Sequence, residues 1–127
     1  MTTYDPEVAP EPTSWLALDE QERIRLADAH HRAARIRLPS VETHALFHAV
    51  VENQIAEGLD CVVRAMARLM SEGLSRHDAL HAIGSVVAEH LYEIVQKTKD
   101  DPKTIQTQYN AAVERLSAKG WRLRYGA

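Results

Sequence analysis

At 127 residues the chain is long enough for one hydrophobic core and too short for two. Its 45% hydrophobic and 26% charged residues are ordinary for a globular protein, and 15 Lys+Arg against 18 Asp+Glu give a net charge of -3, which removes the electrostatic case for a nucleic-acid partner. A single cysteine, Cys61, cannot close an internal disulfide, so nothing points to an oxidising compartment.

The N-terminal M-T-T-Y-D-P-E-V-A-P-E-P has neither the basic start nor the apolar run of a signal peptide, and no stretch approaches the roughly 18 apolar residues of a membrane span. The expectation is a cytoplasmic protein with no membrane partner. Pro6, Pro10 and Pro12 among acidic and small residues make residues 1–14 an extended or disordered lead without chemistry, and residues 15–127 a single domain. Trp15 and Leu16 mark where the chain meets the core.

Asp19 followed by Glu22 reads as a capping pair for a helix over about 19–36, with Ile24, Ala27, His31, Ala34 and Leu38 at helical spacing. His31 lies on that stripe and His30 off it. Pro39 ends the element and Ser40 caps the next, which runs over about 41–57 and stops at Gly58. On this second helix Val41, His44, Ala45, His48, Val51, Glu52 and Ile55 fall within an arc of about 120°. Leu46, Phe47 and Val50 lie elsewhere on the circumference, so the helix is apolar nearly all round. It is therefore either central or covered by a partner subunit, and a homodimer is the expected assembly.

A third helix from about Asp60 to Ser71 turns Val62, Ala65, Met66 and Leu69 inward, with Met70 in the same apolar cluster, and Gly73 closes it. Ser75 with Asp78 forms a capping box for a long fourth helix over about 76–97. Its stripe is Leu80, Gly84, Ala88, Leu91 and Val95, with His77 and His81 in the middle, and Gly84 and Ala88 leave room for a neighbouring backbone. Asp101-Pro102 starts a fifth helix through Ile105, Tyr109, Ala112, Val113 and Leu116. Gly120 ends it, and Trp121, Leu123 and Tyr125 form an aromatic-basic tail that folds back on the bundle or on a partner chain. There is no strand signal and no repeat of solenoid length, so the fold class is an all-α bundle of four to five helices.

Chemistry concentrates in two histidine pairs. His44 and His48 stand in H-A-L-F-H, and His77 and His81 in R-H-D-A-L-H. Spacing of i, i+4 puts both imidazoles of a pair on one helix face, one turn apart, as a helix does when it grips a metal ion. With short connections the second and fourth helices run the same way, and at about 1.5 Å per residue the pairs lie about 4–11 Å and 1–8 Å from their helix starts. The heights overlap, and His31 falls near the same end. Glu52, one turn beyond His48, is a further ligand, an orienting residue or the general base of an enzyme. Glu89 and His90 lie about 12 Å or more beyond His81 and off the stripe, outside the site.

The metal ligands expected are thus His44, His48, His77 and His81, with Glu52 and His31 in reserve. Neutral imidazole suits zinc, copper, nickel and iron; a tetrahedral zinc site is the simplest outcome, and a Glu-bridged pair of irons is the other. The expected protein is a metal-binding bundle with a divalent cofactor, zinc or iron; if it is an enzyme, the metal activates water or binds oxygen, as in a metal-dependent hydrolase or an oxygen-binding or oxidising protein, and the sequence names no small-molecule substrate. The alternative is a structural or interaction module in which stacked imidazoles and Glu52 form a buried polar layer. Cys61 reads as a small buried hydrophobe, Asn53 as part of an ordinary polar helix face, and Arg64, Arg68 and Arg76 as solvated, with one of them able to pair Glu52 or Asp78. No nucleophile triad, phosphate-cradling glycine loop or basic aromatic patch is legible.

The segment H-A-L-F-H-A-V-V-E-N-Q over 44–54, followed by G-L-S-R-H-D-A-L-H-A-I-G over 73–84, resembles a family of small bacterial all-helical proteins with paired H-x-x-x-H motifs and no assigned activity. The resemblance spans roughly 40–96, with an echo at Tyr4-Asp5-Pro6, and implies a helical fold with a paired-histidine layer. At the level of motif the chain is also similar to hemerythrin-like bundles, which set H-x-x-x-E and H-x-x-x-H around two irons. That similarity casts His48 with Glu52 as one set and His77 with His81 as the other, with His31 as a first-helix ligand. The chain departs from it in the extra helix between the motifs and in lacking a late His-plus-Asp pair after His81.

Overall fold

In a computed structural model of the protein, residues 3–33, 41–96 and 101–125 are described, with side chains at 3–29, 45–90 and 101–123. Among the described residues there are seven helices and no strand: α1 Pro12–Ala17, α2 Glu20–Ala33, α3 Val41–Ala56, α4 Asp60–Ser71, α5 Arg76–Gln96, α6 Pro102–Glu114 and α7 Ala118–Tyr125. The all-helical class stands. The count of four to five is corrected to five long helices and two short ones, α1 and α7. No helix is long and apolar enough to cross a membrane among the described residues.

Three of the five long helices, α2, α5 and α6, begin at side-chain caps. Asp19 Oδ1 accepts the Glu22 amide at 2.8 Å, Ser75 Oγ the Asp78 amide at 3.0 Å, and Asp101 Oδ1 the Thr104 amide at 2.8 Å, with Pro102 in the first helical position. The stops at Gly58 and Gly73 use φ of +74° and +104°, a backbone conformation that an L side chain resists.

The short helices lacked a periodic signal because six or eight residues hold too few turns to show one, and neither is stable without docking. In α1 the Glu11 carboxylate accepts the Ser14 amide at 2.6 Å, and Trp15 is fully buried. The Trp15 indole donates to Asn53 Oδ1 at 2.9 Å, and Arg23 donates to the same oxygen at 2.9 Å as well as to the Leu16 and Leu18 carbonyls. Asn53 is thus the junction of α1, α2 and α3, not part of an ordinary polar face. Gly120 lies inside α7 and ends nothing; the chain leaves α6 at Glu114. The tail folds back on its own chain, with Trp121 buried against α5, the Ala118 amide donating to Glu72 at 2.8 Å, and Leu123 exposed.

Helix α3 is central, packing against α1, α2, α4 and α5, which buries Ala45, Ala49 and Val51, whereas Leu46 is exposed and Phe47 and Val50 are half-buried. Ala45 joins a cluster with Tyr4, Trp15, Leu26 and Ala27, whereas Val51 joins the larger cluster built by α4 to α7. Met66 and Leu69 belong to that core, but Met70 is exposed. The N-terminal lead is not idle: Tyr4 and Pro6 are buried, and Glu7 accepts the His77 amide at the start of α5 at 2.8 Å.

Gly84, in the middle of α5, has negative φ and space: a Cβ there would meet Phe47 Cβ at 3.7 Å, an ordinary contact. Gly84→Ala therefore removes the backbone-entropy penalty of a helical glycine without a clash. The expected result is a gain of about 0.5–1 kcal/mol in urea unfolding.

Candidate metal centre

His77 and His81 occupy consecutive turns at the start of α5, and their ring centroids are 4.3 Å apart with planes at 72°. Packing of α3 on α5 brings His48 to both. His48 Nε2 lies 3.0 Å from His81 Nε2 and 3.2 Å from His77 Nε2. The centroid distances from His48 are 5.0 and 4.9 Å with interplanar angles of 88° and 62°, so the rings meet edge-on and are not stacked. One ring nitrogen from each residue falls within 4.8 Å of the others, and this three-histidine group can hold a metal ion. His48 is buried, whereas His77 and His81 are half-buried, which leaves a way in from solvent.

Behind His48 stands a buried polar chain. Arg76 grips Glu52 in a bidentate pair, at 2.7 and 2.8 Å, and also donates to the Pro6 carbonyl at 2.8 Å. Only 1% of Glu52 and 8% of Arg76 is exposed. The Tyr4 hydroxyl lies 2.6 Å from Glu52 Oε2 and 3.1 Å from His48 Nδ1. Burial first, and then the charge of Glu52 and the hydrogen bond to it, push the Tyr4 hydroxyl well above the usual phenol range, with Arg76 opposing. It stays protonated at neutral pH.

A hydroxyl carries one proton, and the shorter contact to a charged oxygen takes it. The contact with His48 must then use a proton on Nδ1, donated to Tyr4 Oη. In the neutral imidazole this tautomer puts the lone pair on His48 Nε2, facing His77 and His81. One in-plane lone pair facing two nitrogens at 3.0 and 3.2 Å accepts a well-aligned hydrogen bond from only one of them.

Three of the expected ligands, His48, His77 and His81, are thus brought together. The side chains of His44 and His31 lie outside the described residues. Glu52 sits one turn from His48, but Arg76 and Tyr4 hold both of its carboxylate oxygens. His90 is not one of the group; its ring lies 5.6 Å from that of Tyr109 on α6. The Cys61 thiol is buried, donates to Asn110 Oδ1 at 3.3 Å and is pushed up, chiefly by burial and next by Glu114, so it behaves as a small core residue.

Sequence reasoning missed Tyr4 and read Arg76 as solvated, with a pairing to Glu52 or Asp78 only as an alternative shared among three arginines; Arg76 is the one that pairs Glu52. The available signals were the Tyr-Asp-Pro run in the lead and the position of Arg76 immediately before the second histidine pair. Of the other two arginines, Arg64 is exposed and pairs Asp60 at 2.8 Å, whereas Arg68 donates to the Val113 and Leu116 carbonyls.

Replacing one partner of the buried pair strands the other charge. Arg76→Met is expected to lower unfolding free energy by about 3–5 kcal/mol in urea, and the Glu52→Leu, Arg76→Met double variant to lose less than Arg76→Met alone. Equal losses would show that the ion pair is not the source of the effect.

Comparison of the chain with protein-family models, with curated proteins and with solved structures returned no match.

Proposed function

We propose that this protein binds one divalent transition-metal ion, zinc in the first place, through the Nε2 atoms of His48, His77 and His81. The observation that carries the proposal is the convergence of these nitrogens at 3.0 and 3.2 Å with their rings edge-on. A tetrahedral zinc site with bonds of about 2.0–2.1 Å has ligand–ligand edges of about 3.3–3.4 Å, and one face of an octahedron has edges of about 2.9–3.0 Å. The spacings fall between the two. The shorter edge favours iron as the second reading, with three positions open on the far side of a facial set.

Three protein ligands leave room for water, whose pKa coordination lowers towards neutrality, which suits a hydrolytic or hydrating reaction. Glu52 enters as an orienting residue, acting through Tyr4 on the His48 tautomer, and not as a ligand or general base, since its oxygens are already taken. The contrasting role, a buried polar layer of the imidazoles with Glu52, would use the same contacts as hydrogen bonds between rings that meet edge-on, at 62°, 72° and 88°, and are not stacked.

Protein purified without a histidine tag and stripped with a chelator should take up one zinc or one ferrous ion per chain in anaerobic calorimetry, and elemental analysis should agree. The His77→Ala, His81→Ala variant should take up none. Absence of uptake, with thermal stability indifferent to chelator, would return the histidines to a purely structural role. Tyr4→Phe keeps the ring in its buried place and removes the hydroxyl. It should weaken metal binding about 10–100-fold while leaving the stoichiometry at one.

A further inference from the structure

We infer that the groove beside the histidine triad is the ligand chamber of the proposed metal centre, and that it takes a small apolar molecule ending in an anionic oxygen donor, an aromatic carboxylate being the type. The inference rests on the metal-binding reading above. Its first support is shape and lining. The groove encloses about 270 Å³ between α3, α5 and α7, with His48 and His81 among its walls and Phe47, Leu80, Ala88 and Trp121 making it apolar. An apolar cavity of about 150 Å³ accepts benzene, so this one accommodates a single or fused ring.

The groove also accounts for the small residues of α5. Gly84 and Ala88 follow His81 at helical spacing, and both line the groove. The nearest atom that a Cβ at Gly84 would meet belongs to a side chain, that of Phe47, at 3.7 Å. At Gly84 no backbone of another element lies within 4 Å of that Cβ position, and the groove runs past both small residues. It lies open next to two of the three imidazoles.

Charge supplies the second support. Three neutral imidazoles leave a bound divalent ion with its full charge, and the nearby Glu52 carboxylate is cancelled by Arg76 at 2.7 Å. An open position on such an ion favours an anionic donor. No Asp, Glu, Lys or Arg lines the groove among the described residues, and the one hydroxyl, that of Ser85, donates to the Ala82 carbonyl at 2.6 Å. A bare small anion gains nothing from these walls. An anion with an apolar body gains both the ion and the burial of its ring.

Titration of the cobalt(II)-loaded protein with acetate and with benzoate, followed through the visible cobalt bands, tests the inference. Benzoate should half-saturate at a concentration about tenfold or more below that of acetate. Ala88→Leu, which fills the groove without touching a ligand, should bring the two concentrations together while cobalt stoichiometry and acetate binding stay unchanged. Gly84→Ala, a smaller change that the helix accepts, should reduce the preference in part, so the comparison survives if the leucine variant does not fold. Equal affinities for the two carboxylates, a preference that neither variant alters, or cobalt bands that neither carboxylate perturbs would each overturn the ligand chamber and leave the metal site standing. Failure to take up cobalt would overturn the metal site, and the chamber with it.

Discussion

The buried ion pair of Glu52 and Arg76 is the constraint on which the rest of the site depends. Neither charge is tolerable alone at 1% and 8% exposure, because stranding a charged group in the interior loses its hydration without compensation. Each must find the other, and in doing so they fix how α3 lies against the start of α5. The remaining hydrogen-bonding capacity of the pair is taken by the N-terminal lead, through the Tyr4 hydroxyl and the Pro6 carbonyl. Three segments far apart in the chain thereby acquire one relative position.

The histidines inherit that position. His48 is one turn before Glu52 on α3, and His77 and His81 follow Arg76 on α5, so a register that joins Glu52 to Arg76 also sets His48 opposite the other two imidazoles. Tyr4 completes the coupling by touching both Glu52 and His48 Nδ1. The pair thus acts at two levels: it sets where the triad forms, and through the tyrosine it sets which nitrogen of His48 faces the other rings. A hydrophobic replacement of similar volume could hold the helices together, but it would not specify a tautomer.

The surroundings divide by polarity. Behind His48 lies the fully hydrogen-bonded chain of Tyr4, Glu52 and Arg76, sealed from solvent, and in front of it lie two half-buried histidines and an apolar groove. A centre rigid on one side and accessible on the other is what a site needs when it must hold an ion firmly and still admit a ligand. The groove is apolar through Phe47, Leu80 and Trp121, and it has room because α5 carries glycine and alanine where a core helix would carry larger side chains.

Interactions between residues a few positions apart were legible in the sequence. The caps at Asp19, Ser75 and Asp101, the stops at Gly58 and Gly73, the periodicity of the five long helices and the i, i+4 spacing of His77 and His81 all depend on backbone geometry that repeats every turn. The convergence of His48 with His77 and His81 was reachable too, because helix rise converts sequence position into height along a bundle. Only the tertiary structure decided the rest: that Tyr4 enters the interior, that Arg76 turns in to Glu52, that Asn53 joins three helices, and that Gly84 and Ala88 border an open groove. The contacts of Tyr4 with His48 and Glu52, and those of Arg76 with Glu52 and Pro6, span 44, 48, 24 and 70 residues, and no local rule connects positions so far apart. They arise because buried charges and donors must be satisfied by whatever the packed chain brings within reach, which spacing along the sequence does not encode.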